Sequence, residues 1–554
     1  MRKHLFAAAA LLCACRSDAQ APAAQFAPGA PKLLVVISVD QLSADLFDEY
    51  RPHFTGGLAR LASGAAFRNG YQSHATTETC LGHSTILTGD HPARTGIVGN
   101  QWFDPKAPRT DKTIYCAEDE AAPGTNSSKY KVSPKHLRVA TLGDLLKRQS
   151  PASLNVAVAG KDRSAVMMSG HSADQRWYWS SRSFVTDLDA APVPQSVTRT
   201  NAVVTQALAI PREPLDPPPL CAGKAQVFPI AGGGKPVGNG RFERKAGDSG
   251  AFRASPESDG AVLALAAALI QEMRLGADAS PDVLSIGLAA TDYVGHTYGT
   301  GGQEMCLQLL ALDRELGDFL GRLDSWGIDY AVALTADHGA LDIPERLRAK
   351  GVAGAAWIDP ALSPERLGQQ IAAGTKLKGP VIAFGGPSGD IFLDPALSAA
   401  DRARAKEALL AAYRAHPQVE AVFTSDEIAR TGVPSGSPAA WSLIQRVRAS
   451  FDPERSGDLY VVLKPHIQPI SDTSRYVATH GSPWDYDRRV PILFWRRGIS
   501  SSPSESAVDT VDIMPTLAAM IGIALAPGSV DGRCLATVGV CAPAEAGGGQ
   551  RGRR

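Results

Sequence analysis

The chain has 554 residues, 44% of them hydrophobic, with 56 Lys and Arg balanced by 56 Asp and Glu. A formal net charge of zero removes any electrostatic argument for nucleic acid or an acidic membrane surface as partner. The length suits one large α/β domain carrying insertions, or two domains.

Residues 1–21 read as a secretory signal peptide. Arg2, Lys3 and His4 precede the short apolar run "LFAAAALLCAC", and small residues lead to "AQA" ending at Ala21. That run is too short for a permanent bilayer anchor, and no later apolar stretch approaches about 18 residues, so no membrane span is expected. A periplasmic or secreted protein follows. The segment "LCAC" at 12–15 loosely resembles a lipobox, but simple cleavage is preferred to a lipid anchor on Cys15 because Cys13 is unusual there. Cleavage leaves Cys80, Cys116, Cys221, Cys306, Cys534 and Cys541, an even number that permits disulfides; Cys534 with Cys541 closes the shortest loop.

Residues 22–31, "PAAQFAPGAP", form a Pro/Ala linker. At 32–40, "KLLVVISVD" is a continuous apolar run ending in an acid, the pattern of a strand buried on both faces of a parallel sheet. Similar runs recur at 154–160, 282–292, 329–338 and 490–495. Between them lie helical patterns: a capped segment from Ser255 to Gly276, and Met305, Leu309, Leu312, Leu316, Phe319 and Leu323 at helical spacing. Alternating β and α elements over this length predict a three-layer α/β sandwich. Residues 170–255 are rich in Pro, Gly and Ser and read as a loop-dominated insertion, and residues 341–475 read as a small strand-and-helix subdomain. The Gly/Arg-rich tail at 541–554 reads as disordered.

Ligand sites in open parallel sheets lie beyond the carboxyl ends of the strands. Acids and histidines recur there: Asp40 ends the first strand, Asp292 the third, Asp337 and His338 the fourth. His296 follows Asp292 by four residues, so one helical turn brings both to one face. His480, in "ATHGSPWD", precedes the last strand. Taken singly, an acid at a strand end is ordinarily a cap or turn former. Three such ends in order, with Asp337 and His338 adjacent before a glycine, point instead to ligands. These six oxygen and imidazole donors suit Zn²⁺ and suffice for two ions.

The stretch "SHATTETCLGHSTILTGD" at 73–90 runs into a helix start at "CLGH", which puts Thr79 just before it, where free N–H groups and the helix dipole favour an anion. Metal coordination makes a threonine alkoxide accessible, so Thr79 is the candidate nucleophile and Thr76 and Thr77 are turn hydroxyls. In "AGKDRS", an extended segment would point Lys161 and Arg163 the same way; alone they are a solvated pair, but at a strand's carboxyl end they could hold phosphoryl oxygens. Asn100 in "GIVGNQWFD" could add a neutral donor.

The order Asp40, "TETCLGH", "GIVGNQWFD", "AGKDR", "ATDYVGH", "TADHG", "ATHGSPWDYDRRVPILFW" and "VDTVDIMPTLA" resembles the alkaline phosphatase superfamily, in particular secreted bacterial monoesterases of the PafA/PhoK type with a threonine nucleophile. The match covers about 32 to 540. It implies an alkaline-phosphatase-like three-layer α/β/α sandwich with loop-rich and α+β insertions. It also implies two Zn²⁺ per chain, one held by Asp292, His296 and His480 and the other by Asp40, Asp337, His338 and Thr79. Asn100, Lys161 and Arg163 become phosphate contacts, and Thr79 forms a phosphothreonine intermediate. The implied substrates are small-molecule phosphate monoesters, whose dianion offers an oxygen that a diester lacks. The oligomeric state and additional Ca²⁺ in the insertions stay open.

Three rivals remain at this point. A phosphodiesterase or nucleotide pyrophosphatase of the same superfamily would carry the same ligands. A sulfatase needs a "C-x-P-x-R" context, and "CLGHS" after Thr79 lacks both Pro and Arg. A non-catalytic binding protein on a degenerate scaffold is disfavoured by the intact ligands and nucleophile.

Overall fold

Leu33, Val35, Ile37 and Val39 enter one hydrophobic core while Leu34 and Val36 enter another, which is the alternation expected of a strand covered on both faces. The computed structural model describes residues 26–499 and 502–541; the signal-peptide reading, Cys13 and Cys15, and the tail beyond Cys541 lie outside them. The strand Leu33–Val39 is central in a ten-stranded sheet. It pairs in parallel with Asp282–Leu288 on one side and Tyr330–Thr335 on the other. Asn155–Ala159 and then Gln175–Ser180 continue the parallel run. Arg489–Arg496 lies antiparallel beyond Tyr330–Thr335, followed by Ala65–Tyr71.

Helices Pro256–Met273 and Gln303–Ser325 cover the first face, and Thr79–Thr88 with Ile513–Ile521 covers the second, completing three layers. Met305, Leu309, Leu312, Leu316, Phe319 and Leu323 are all buried, as their spacing predicts. Because the central strands are parallel, Asp40, Lys161, Asp292 and Asp337 all emerge at one edge of the sheet.

The region 170–255 is more regular than a loop insertion. Gln175–Ser180 and Ser183–Val185 add strands to the main sheet, and Gln195–Ala209 is a helix. Buried Arg176, held by the Ser169 hydroxyl at 2.8 Å and the Asp187 carboxylate at 2.5 Å, interrupts the apolar pattern that would have marked the strand. The region 341–475 forms its own sheet, ordered Ile382–Gly385, Asp390–Leu393, Leu459–Leu463, Val419–Thr424, packed with helices Pro364–Thr375 and Ala399–Ala415 around Leu393, Leu409 and Leu459.

Both boundary segments are tied to the fold, the second by the disulfide that the sequence suggests. Within the linker, Phe26 and Ala30 pack on the second core and the Ala27 N–H bonds to the Ile521 carbonyl at 3.1 Å. Cys541 is tied to Cys534. Two longer disulfides, Cys80–Cys116 and Cys221–Cys306, complete the six cysteines. No helix among the described residues is long and apolar enough to cross a membrane.

Candidate active site and metal centre

Thr79 is the first residue of its helix, with Glu78 as the N-cap in extended conformation, rather than the residue before it. Glu78 Oε2 accepts the Asn100 N–H at 2.7 Å, and Asn100 Oδ1 accepts the Cys80 N–H at 2.9 Å. One of the helix's otherwise unpaired donors is thereby satisfied from the side, and Asn100 is fixed next to Thr79. The Cys80–Cys116 disulfide clamps the same corner and removes Cys80 from any formylglycine chemistry. Gly82 is needed there, because a Cβ would lie 1.9 Å from the Asp337 carbonyl.

The strand ends and the segments that follow them bring six of the expected ligands, Asp40, Asp292, His296, Asp337, His338 and His480, together. Asp40, Asp337 and His338 are fully buried, and Asp292 is 2% exposed. Asp292 and His296 share the helix Ala290–Tyr298, with His296 Nε2 3.2 Å from Asp292 Oδ1. His480 Nε2 lies 3.5 Å from the same oxygen, and its ring stacks on His338 at 3.5 Å. Ligand atoms of Asp292, His338 and His480 lie within 4.8 Å of one another, and so do those of Asp40, His83 and Asp337. His338 bridges the two groups, its Nε2 3.2 Å from Asp337 Oδ2. Neither group draws on the insertions.

The donor set fits a borderline divalent metal. Nδ1 of His83, His296, His338 and His480 each faces a backbone carbonyl, those of Thr79, Ala478, Gly339 and Thr77, at 2.7–2.9 Å. With the proton held on Nδ1, every ring offers its Nε2 lone pair to the cluster. Both oxygens of Asp40, Asp337 Oδ2, and Nε2 of His83 and His338 are buried without a hydrogen bond. Buried polar atoms are rarely left so, and oxygen with imidazole donors at this spacing match Zn²⁺ ligation.

Two contributors escaped the sequence reading. His83 is one, four residues after Thr79 and so on the same helical face; the i,i+4 spacing was the available signal. Gln41 is the other. Its backbone takes the left-handed conformation at φ 68°, its N–H donates to Asp337 Oδ1 at 3.1 Å, and its side-chain amide donates to Asp292 Oδ1 at 3.0 Å. Strain of this kind in a non-glycine residue persists where the surroundings enforce it, here by tying two carboxylates together.

Of Lys161 and Arg163, only Lys161 has an extended backbone. Lys161 is the N-cap of the helix Asp162–Ser169, and Arg163 is in its first turn. Lys161 Nζ sits 2.6 Å from Asp292 Oδ2 and 3.0 Å from Asp40 Oδ2. Burial opposes its charge, but Asp292 and Asp40 override this and raise its pKa. Arg163 Nη2 lies 3.4 Å from Thr79 Oγ1. A hydroxyl at a helix start, a guanidinium beside it and two clusters of buried acids and histidines make an environment that favours an anionic group.

The sequence model of the type I phosphodiesterase / nucleotide pyrophosphatase family matches residues 34–483. The chain is 54% identical over 510 residues to alkaline phosphatase PhoK of Sphingomonas sp, covering 91% of each chain. It is 45% identical to alkaline phosphatase PhoD of Zymomonas mobilis, covering 91% of this chain and 88% of the other. The crystal structure of alkaline phosphatase PafA superposes with a TM-score of 0.80 at 26% identity, covering 92% of this chain and 99% of that one. The sheet, the strand-end acids and these likenesses agree: the chain belongs to the alkaline phosphatase superfamily, within the type I phosphodiesterase / nucleotide pyrophosphatase family, and is a phosphatase-type hydrolase.

Proposed function

We propose that this protein is an exported, zinc-dependent alkaline phosphatase that hydrolyses small phosphate monoesters through a phosphothreonine at Thr79. The carrying observation is the position of Thr79 Oγ1: at a helix N-terminus, 3.4 Å from Arg163 Nη2 and one turn before His83, which borders Asp40 and Asp337. Residues 32–540 form the catalytic domain, preceded by a cleaved segment 1–21 and a linker 22–31.

Asp40, Asp292, His296, Asp337, His338 and His480, with Thr79, would hold two Zn²⁺, and His83 joins them. When bound, the ions supply Lewis-acid stabilisation of the attacking and leaving oxygens. Thr79 Oγ, having given its proton to solvent, attacks phosphorus in line with the leaving group; the Oγ–P bond forms as the ester P–O bond breaks, and the departing alkoxide takes a proton from solvent. Water then attacks phosphorus from the side the alcohol left, opposite Oγ; the Oγ–P bond breaks, phosphate is released and a proton returns to Thr79 Oγ. Arg163 offers a planar fork to the equatorial oxygens, and Asn100, whose Oδ1 is fixed by Cys80, turns its amide donors toward them.

Lys161 is engaged by Asp40 and Asp292, so Arg163 and Asn100 carry most of the case for a dianionic monoester. The family match at 34–483 is the observation that favours a diesterase instead. A rate comparison near pH 9 on zinc-loaded protein, using phenyl phosphate, its matching diester and phenyl sulfate, separates the readings. Monoester turnover faster by orders of magnitude supports the proposal, and a diester preference overturns it.

A further inference from the structure

Beside the ligand cluster, a cleft of about 550 Å³ opens between the Lys161–Arg163 corner and the region 170–255. Its carboxylates are already engaged. Asp162 accepts the Tyr115 and Tyr130 hydroxyls at 2.7 Å each, Asp187 is paired with Arg176, and Asp189 lies 3.4 Å from Lys131. Its cations are not balanced in the same way. Arg253 and Lys129 line the cleft, and neither has a carboxylate within ion-pair distance among the described residues. Arg163 Nε is buried without a hydrogen bond.

Arg253 ends the short helix Ser249–Arg253, far in sequence from the strand-end motifs, yet its guanidinium lies 4.9 Å from the ring centre of Tyr293. Tyr293 directly follows Asp292, and Lys161 Nζ lies 5.1 Å from the same ring. The two cations are therefore separated by no more than the sum of those distances. Cation–π contact holds an arginine in place without neutralising it, and an unneutralised guanidinium in a concave site attracts and binds planar anionic groups.

Resting on the phosphatase reading of Thr79, we propose that this cleft is a second anion subsite. Arg253, set by Tyr293 and assisted by Lys129, binds a second phosphate or carboxylate on the leaving-group side of the ester, so the enzyme prefers compact esters with two anionic groups. Arg253 here confers specificity; the chemistry remains at Thr79.

The test compares 3-phosphonopropyl phosphate with propyl phosphate, each with one scissile ester, on the zinc-loaded enzyme. The wild type is expected to favour the first about tenfold in kcat/KM, mostly through KM, with a preference that weakens as salt rises. Arg253→Ala is expected to bring the ratio close to one, and Arg253→Lys to restore part of it. An unchanged ratio in Arg253→Ala, or no wild-type preference, overturns the subsite. Calorimetric titration with propane-1,3-bisphosphonate against propylphosphonate reads the same discrimination without turnover. If neither ester is cleaved but the bisphosphonate preference is present and lost in Arg253→Ala, the phosphatase reading fails and the subsite stands; equal binding overturns the subsite whatever the activity.

Discussion

His83 Nδ1 lies 2.9 Å from the backbone oxygen of Thr79, one helical turn earlier, while its Nε2 lies 3.3 Å from Asp40 Oδ1. The same ring is 3.4 Å from Asp337 Oδ2, so one buried histidine, anchored on the Thr79 backbone, faces two carboxylates with its free Nε2. His83→Ala removes that donor. Metal affinity is expected to fall about 10–100-fold, the usual loss for a group that orients or completes a ligand set. Elemental analysis after dialysis against graded chelator measures it; wild-type zinc retention in the variant would remove His83 from the site.

Arg163 Nη2 lies 3.4 Å from Thr79 Oγ1. Arg163→Ala is expected to lower kcat/KM for an aryl monoester by about 10²–10³, the cost of one preorganised donor to transition-state charge. A diester, which has one charged oxygen fewer, should lose less. Equal losses on both substrates would mean that Arg163 does not read the dianion.

The strand ends were legible because each apolar run stops at an acid, and a run buried on both faces leaves little else for an acid there to do. Asp40, Asp292, Asp337 and His338 were found that way. Arg163 was misread as extended because Ala165, Val166, Met167 and Met168 are all buried, so its helix shows no one-sided stripe, whereas Lys161, its N-cap, is extended. Arg253 was out of reach, since only tertiary folding brings residue 253 beside Tyr293. The cysteines divide in the same way: Cys534–Cys541 closes a local loop, whereas partners 36 and 85 residues apart are chosen by the fold.

His91 gives a pH dependence away from the metal centre. Burial opposes its charge, but Asp509 and Asp531, each at 3.1 Å, override this and raise its pKa to about 10. An ordinary histidine titrates near 6.5, so the unfolded chain binds fewer protons between the two values. This contribution to stability is fully present below about pH 6.5 and is lost as pH rises through about 10. His91→Gln is expected to be less stable than wild type at pH 6 and to show a shallower fall in Tm from pH 7 to 10. Parallel Tm profiles would contradict the assignment.

Asp313, in the helix Gln303–Ser325, accepts backbone N–H groups from Thr55, Gly56, Leu58 and Ala59 at 2.7–3.3 Å. It thus serves the start of the helix Gly57–Ala62 from a neighbouring element. Asp313→Ala leaves these donors without their acceptor and should cost about 3 kcal/mol of stability, with Asp313→Asn costing less. Urea denaturation of the zinc-loaded protein measures both; a change below about 0.5 kcal/mol, typical of surface sites, would contradict the role.

The central claim is that Thr79 carries the phosphoryl group. Zinc-loaded enzyme mixed with excess phenyl phosphate, quenched in acid within milliseconds and digested, should yield a phosphorylated peptide with the modification on Thr79. Thr79→Ala should yield none while keeping its zinc. Phosphate on another residue, or full turnover by Thr79→Ala, would contradict the account.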